Sequence, residues 1–88
     1  MISVDNLRAA LRDLGVDVQR TRGSSTLVAT HGDRYVMITV VNGRASCVVA
    51  NTDGEPDQYA SYALNMVARL GRPIVLAEAI ADIFSDPP

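Results

Sequence analysis

The sequence predicts an α+β domain in which helices cover one face of a four-stranded antiparallel meander, in the order α-β-β-β-β-α-α. Three observations predict it. Asn42-Gly43 separates two strand-like runs, 34–41 and 44–50, and Asn-Gly accepts positive φ at both central positions of a two-residue type I′ turn. Alternating apolar residues continue upstream of it, punctuated by Gly23-Ser24 and Gly32-Asp33. Apolar residues at helical spacing occupy both ends of the chain.

Ser3 is a good N-cap for the first helix, with Asp5 in the first turn where the helix dipole favours a carboxylate. Ile2 and Leu7 have the spacing of a hydrophobic staple. Val4, Leu7, Ala10, Leu11 and Leu14 form one stripe, and Gly15 ends the helix. Arg8, Arg12 and Asp13 fall on the solvated side. Residues 16–22 alternate as a strand, and residues 25–30 form the next. If the turn around His31-Gly32-Asp33 has two or four loop residues, Ala29 meets Val36 and Leu27 meets Ile38; an odd loop would invert the second strand.

Pairing outward from Asn42-Gly43 assigns every side chain of the last hairpin to a face. Val36, Ile38, Val40, Ala45, Cys47 and Val49 share one face, which is core. Tyr35, Met37, Thr39, Val41, Arg44, Ser46, Val48 and Ala50 share the other, with Val28 joining beside Met37. That second face is too apolar for plain solvent and too polar for core. Residues 51–56 are a loop by composition. Tyr59, Tyr62, Ala63, Met66, Val67 and Leu70 then describe an amphipathic helix, with Asp57 as its N-cap and Gly71 and Pro73 at its end. Leu76, Ala79, Ile80 and Ile83 describe a third helix, although 74–76 also fits a short edge strand. Residues 1–84 therefore form one domain, and 85–88 read as a frayed tail.

Composition narrows the function. The chain has 88 residues, 48% hydrophobic and 20% charged, with a net charge of −2. This is ordinary globular composition, without the overall basic balance of a nucleic-acid or membrane-surface protein. No apolar run approaches the roughly 20 residues of a membrane helix. With one cysteine and no basic-then-apolar leader, a cytoplasmic protein is expected. All eight basic residues are arginine.

Catalysis requires groups with tunable protonation, or a metal. His31, the only histidine, sits in a turn where polar residues belong. Cys47, the only cysteine, points into the core by register. Asp53, Glu55 and Asp57 suit turn and cap chemistry and lack the spacing of a calcium loop. No glycine-rich phosphate loop is present. No catalytic residue, metal ligand or cofactor is expected.

Two binding readings remain. The first is a small non-enzymatic protein-binding module acting through Val28, Tyr35, Met37, Thr39 and Val48, on another protein or on a second copy of the chain. Size and composition suit an accessory protein of a phage or mobile element that binds and modulates a host complex. The second is nucleic-acid binding through Arg20, Arg22 and Arg44, which the meander brings to one end of the sheet.

The helix, Gly15, a strand, Arg22-Gly23-Ser24, two more strands and a helix resemble HicA-type toxins, which use a double-stranded-RNA-binding-like fold. The resemblance covers about the first forty residues. In that family the histidine that carries ribonuclease activity follows Gly-Ser; here Ser25 and Thr26 follow. The fourth strand and third helix also depart from the pattern. The resemblance thus implies a topology and RNA contact, with the catalytic position lost.

Overall fold

The computed structural model describes residues 1–21 and 25–85. Its elements are α1 (Val4–Asp13), β1 (Asp17–Arg20), β2 (Thr26–His31), β3 (Arg34–Val41), β4 (Arg44–Asn51), α2 (Gln58–Ala68) and α3 (Pro73–Ser85). The strands form one antiparallel sheet in the order β1-β2-β3-β4. This is the α+β meander expected from the sequence.

Local chemistry sets the ends of α1. The Ser3 hydroxyl accepts from the Asn6 amide at 3.0 Å, and the Asn6 side chain accepts from the Ser3 amide at 2.8 Å, a reciprocal capping box. At the other end Gly15 has φ +77°. The amides of Gly15 and Val16 bond back to Arg12 and Leu11, the pattern of a Schellman stop.

Both tight turns hold two residues, and the register follows from them. Asn42 and Gly43 have φ +53° and +78°, so Val41 pairs with Arg44 and Ile38 with Cys47. His31 pairs with Arg34 across Gly32-Asp33, which puts Ala29 opposite Val36 and Leu27 opposite Ile38. The helix-facing side of the sheet is then Val18, Leu27, Ala29, Val36, Ile38, Val40, Cys47 and Val49, all buried. Leu7 and Leu11 of α1, Leu64 and Ala68 of α2, and Leu76, Ala77 and Ile80 of α3 complete the core. Helix α3 packs between α1 and α2. Ile74, Val75 and Leu76 belong to α3, with Pro73 at its first position, where a missing N–H leaves nothing unpaired. Ser85 is the last residue of α3, and its hydroxyl donates to the Ala81 carbonyl at 3.0 Å. The Gly23-Ser24 turn and the tail residues 86–88 lie outside the described residues.

Helix α2 departs from the sequence reading in its rotation. Its extent and its Asp57 cap are as expected; Asp57 accepts from the Ala60 amide at 3.0 Å. However, Tyr59, Tyr62, Met66 and Leu70 are exposed, and Leu64 and Ala68 are buried instead. Backbone chemistry explains the difference. β4 is an edge strand, and the hairpin register points the N–H and C=O groups of Cys47 and Val49 away from β3. The Asn65 side chain accepts from the Cys47 amide at 2.8 Å and donates to the Cys47 carbonyl at 3.0 Å. The Ser61 hydroxyl accepts from the Val49 amide at 2.8 Å, and the Asp57 amide donates to the Val49 carbonyl at 2.8 Å. One face of α2 therefore replaces a fifth strand. Positions 61 and 65 must face β4, which turns 59, 62, 66 and 70 outward.

Arg34 ties the far end together. Its guanidinium donates to the Ile83 carbonyl at 3.1 Å, near the C-terminal end of α3, and to Asp57 at 3.3 Å. A cation suits that end of the helix dipole. Asp57 thus caps α2 with one oxygen and holds Arg34 with the other.

Two predictions follow from the β4 edge and the core beneath it. Replacing Asn65 with Ala removes both partners of Cys47 and should destabilise by roughly 1–3 kcal/mol, the scale of an unsatisfied buried amide. Asn65→Leu should also destabilise, although it adds apolar surface. Urea unfolding of both variants checks this; an Asn65→Leu protein as stable as wild type refutes edge satisfaction as the constraint on α2.

Burial pushes the Cys47 thiol up from 9.0 to about 12. Below pH 9 the thiol is protonated in native and unfolded chains alike and adds no pH dependence. Between pH 9.0 and about 12 the unfolded chain releases the proton that the native chain keeps. Stability should therefore fall as pH rises through that window, by at most about 1.4 kcal/mol per pH unit. Cys47→Ala should lose this component of the slope in parallel unfolding titrations. In the folded protein at neutral pH, the thiol should resist a disulfide reagent until denaturant is added.

Candidate binding face on the sheet

The sheet has one covered face and one open face. Antiparallel pairing aligns side chains on the open face in rows across the strands. The central row is Gln19, Val28, Met37 and Val48. One row to the turn side lie Thr26, Thr39 and Ser46; one row to the other side lie Thr30, Tyr35 and Ala50. Met37 is 42% exposed and Val48 49%, while Val28 and Tyr35 are half-buried. The five residues singled out from the sequence, Val28, Tyr35, Met37, Thr39 and Val48, are thus brought together as one patch. Its centre is apolar, and hydroxyl groups stand on both sides of it.

Arg20 and Arg44 do not converge. Arg20 and Arg44 lie at the same end of the sheet but on its two outer strands, with β2 and β3 between them. Three strand spacings across the sheet and three residues along it separate their backbones by roughly 17 Å. They also point to opposite faces. Arg20 shares the helix side with Val18 and approaches Asp5 of α1 at 3.9 Å. Arg44 is on the open side, opposite Val41, beside a shallow depression formed with Thr39, Asn42 and Ser46. Arg22 lies outside the described residues. Spacing along the chain places Arg20 and Arg44 toward the same end of the sheet; it does not report the width and the two faces of the sheet that separate them.

His31 ends β2 on the helix side, exposed, with its ring 5.8 Å from that of Phe84. Both border an open cleft of about 620 Å³ with Leu14, Val16, Thr30 and Ala81. Among the described residues no three of His, Cys, Asp and Glu converge as a metal-ligand set would. Cys47 is buried under Ile38 and Val49 strand positions and far above neutral in pKa, so its thiol is not a ready nucleophile. No described helix is long and apolar enough to cross a membrane.

A second exposed apolar surface was not legible as such in the sequence. It is the outward stripe of α2, Tyr59, Tyr62, Met66 and Leu70. The available signal was Ser61 and Asn65, two polar residues on the opposite flank of an otherwise apolar helix. Comparison with protein-family models, curated proteins and solved structures finds no match.

The surroundings of His31 make a prediction. Its described ring contact is with Phe84 alone, and the imidazole is exposed. His31→Ala should shift stability by about 0.5 kcal/mol or less, as at ordinary surface positions, and should leave partner binding intact. Thermal melts and a binding assay check it; loss of biological activity in a folded variant would bring the cleft forward as the functional site.

Proposed function

We propose that the protein is a non-enzymatic binding module whose open sheet face docks on another protein. The observation that carries this reading is the row Val28, Met37, Val48, an apolar strip in the middle of an uncovered face. Tyr35 stands beside it, and Thr26, Thr30, Thr39 and Ser46 supply hydroxyls around it. Apolar centres with polar, hydrogen-bonding rims are the usual anatomy of a separable protein interface. The partner chemistry that fits is a folded protein surface with a small apolar projection ringed by hydrogen-bonding groups.

Docking through the face is favoured over strand addition at β4, because α2 already occupies the outward backbone groups of Cys47 and Val49. Size and composition support a setting as an accessory protein of a phage or mobile element that modulates a host complex. Nucleic-acid binding draws less support, since Arg20 and Arg44 point to opposite faces and the net charge is −2.

Affinity capture with Met37→Asp tests the reading. A carboxylate in the centre of the apolar row should weaken partner binding by about 2 kcal/mol or more, the scale of an interface hot spot. Stability should hardly change, because the Met37 side chain faces away from the core. Retained binding by the folded variant would refute the sheet face. Tight, salt-sensitive RNA or DNA binding by wild type, weakened by Arg44→Ala, would favour the nucleic-acid reading instead.

A further inference from the structure

We infer that the outward face of α2 is a self-association surface, pairing two copies of the chain antiparallel about a two-fold axis. The stripe consists of Tyr59, Tyr62, Met66 and Leu70, at i, i+3, i+7 and i+11 on one side of the helix. They are 92%, 67%, 47% and 63% exposed. Ala63 lies among them and is also exposed.

Area is the first argument. Taking a full aromatic side chain as roughly 150–250 Å², the stripe offers on the order of 500 Å² per copy. Two stripes face to face would bury about 1,000 Å², the lower range of a specific interface before the rim is counted. The bulk of the stripe is aromatic ring, thioether and aliphatic surface, with two phenol hydroxyls as its polar atoms. Interfaces between identical chains are more apolar than separable ones.

Charge supplies the orientation. Asp53 and Glu55 immediately precede α2, and Arg69 and Arg72 follow its last turn; all four are exposed. No ion pair within the described residues engages any of them. A parallel pair would set arginine beside arginine and carboxylate beside carboxylate. An antiparallel pair sets the arginine end of one copy beside the acidic end of the other, and opposes the two helix dipoles. The midpoint of the stripe falls between Ala63 and Met66. There the small Ala63 lets the helices approach, while Tyr59 of one copy meets Leu70 of the other at each end. The pattern is self-complementary under a two-fold rotation, as an isologous interface requires.

Sedimentation equilibrium of the full chain tests this, from about 1 to about 100 μM. Wild type should reach twice the 9.4 kDa chain mass. Met66→Asp should weaken the pairing by about a hundredfold or more while its thermal melt stays cooperative, because the side chain is outside the core. Tyr62→Ser is the second variant, should the first fold poorly. Arg72→Glu and Glu55→Arg should each weaken the dimer several-fold, and the double reversal should restore it. A wild type that stays monomeric, a dimer indifferent to both stripe substitutions, or a double reversal without rescue would each overturn the antiparallel pairing. None of these outcomes bears on the sheet face, whose test reads partner capture.

Discussion

The outer edge of β4 is the constraint on which the arrangement of the helices depends. An edge strand exposes a row of backbone donors and acceptors, and such a row invites pairing with another chain. Here the row is closed from within along Cys47, Val49 and Asn51. Asn65 supplies a donor and an acceptor to Cys47, Ser61 accepts from Val49, and the Asp57 amide donates to Val49. Asparagine is suited to this because its amide presents both functions in one plane, as a peptide group does. The loop before α2 continues the closure, with a bridge between Ala50 and Pro56 and a bond from the Asn51 amide to the Glu55 carbonyl. Satisfying these groups sets the rotation of α2, its distance from β4 and the side it shows to solvent.

The rest of the helical layer follows from that placement. With Ser61 and Asn65 on the strand edge, Leu64 and Ala68 turn inward to the core, where α3 packs against α2. Helix α3 then fills the space between α1 and α2, and Leu76, Ala77 and Ile80 are completely buried. The Arg34 side chain links the start of β3, the cap of α2 and the last turn of α3. This ion pair is only partly shielded from water, and its Coulomb term is correspondingly modest. Its geometric effect is larger, since one guanidinium holds three elements in register.

The strands were legible in the sequence because two-residue turns leave no freedom in pairing. Asn42-Gly43 fixes the faces of β3 and β4 and so places Tyr35, Met37, Thr39 and Val48, while the face of β2 and of Val28 hung on the parity of the turn at Gly32-Asp33, which the structure shows to hold two residues. The caps at Ser3, Gly15 and Asp57 were equally readable, because each acts on backbone groups a few residues away. The phase of α2 was not. Apolar periodicity reports that one side of a helix is apolar, and the natural assignment is that this side meets the core. Two hydrogen-bonding requirements from β4, residues 47 and 49, override it. They are distant in sequence and arise only when β4 is known to be the edge. The separation of Arg20 from Arg44 was not legible for a related reason, since one-dimensional spacing locates the end of a sheet but not the two strands and the sheet thickness between them.

An apolar stripe turned outward raises the question of what stabilises the choice. Rotating α2 to bury Tyr59, Tyr62, Met66 and Leu70 would push two phenol rings toward sites now filled by Leu64 and Ala68. It would also strand the outward amides of Cys47 and Val49. Overpacking and unsatisfied amides each carry penalties of roughly 1–3 kcal/mol, and the rotation would incur both while exposing Leu64. The observed rotation leaves only an exposed apolar surface, and association can relieve that without disturbing the fold. The proposed two-fold pairing relieves it using the charges already standing at the two ends of the helix. It leaves the open sheet faces of both copies uncovered. The two proposed surfaces are therefore compatible: pairing through the apolar helix stripe would present two hydroxyl-rimmed sheet faces to a separable partner. A paired module of this kind gains from two simultaneous contacts wherever the partner offers its site twice.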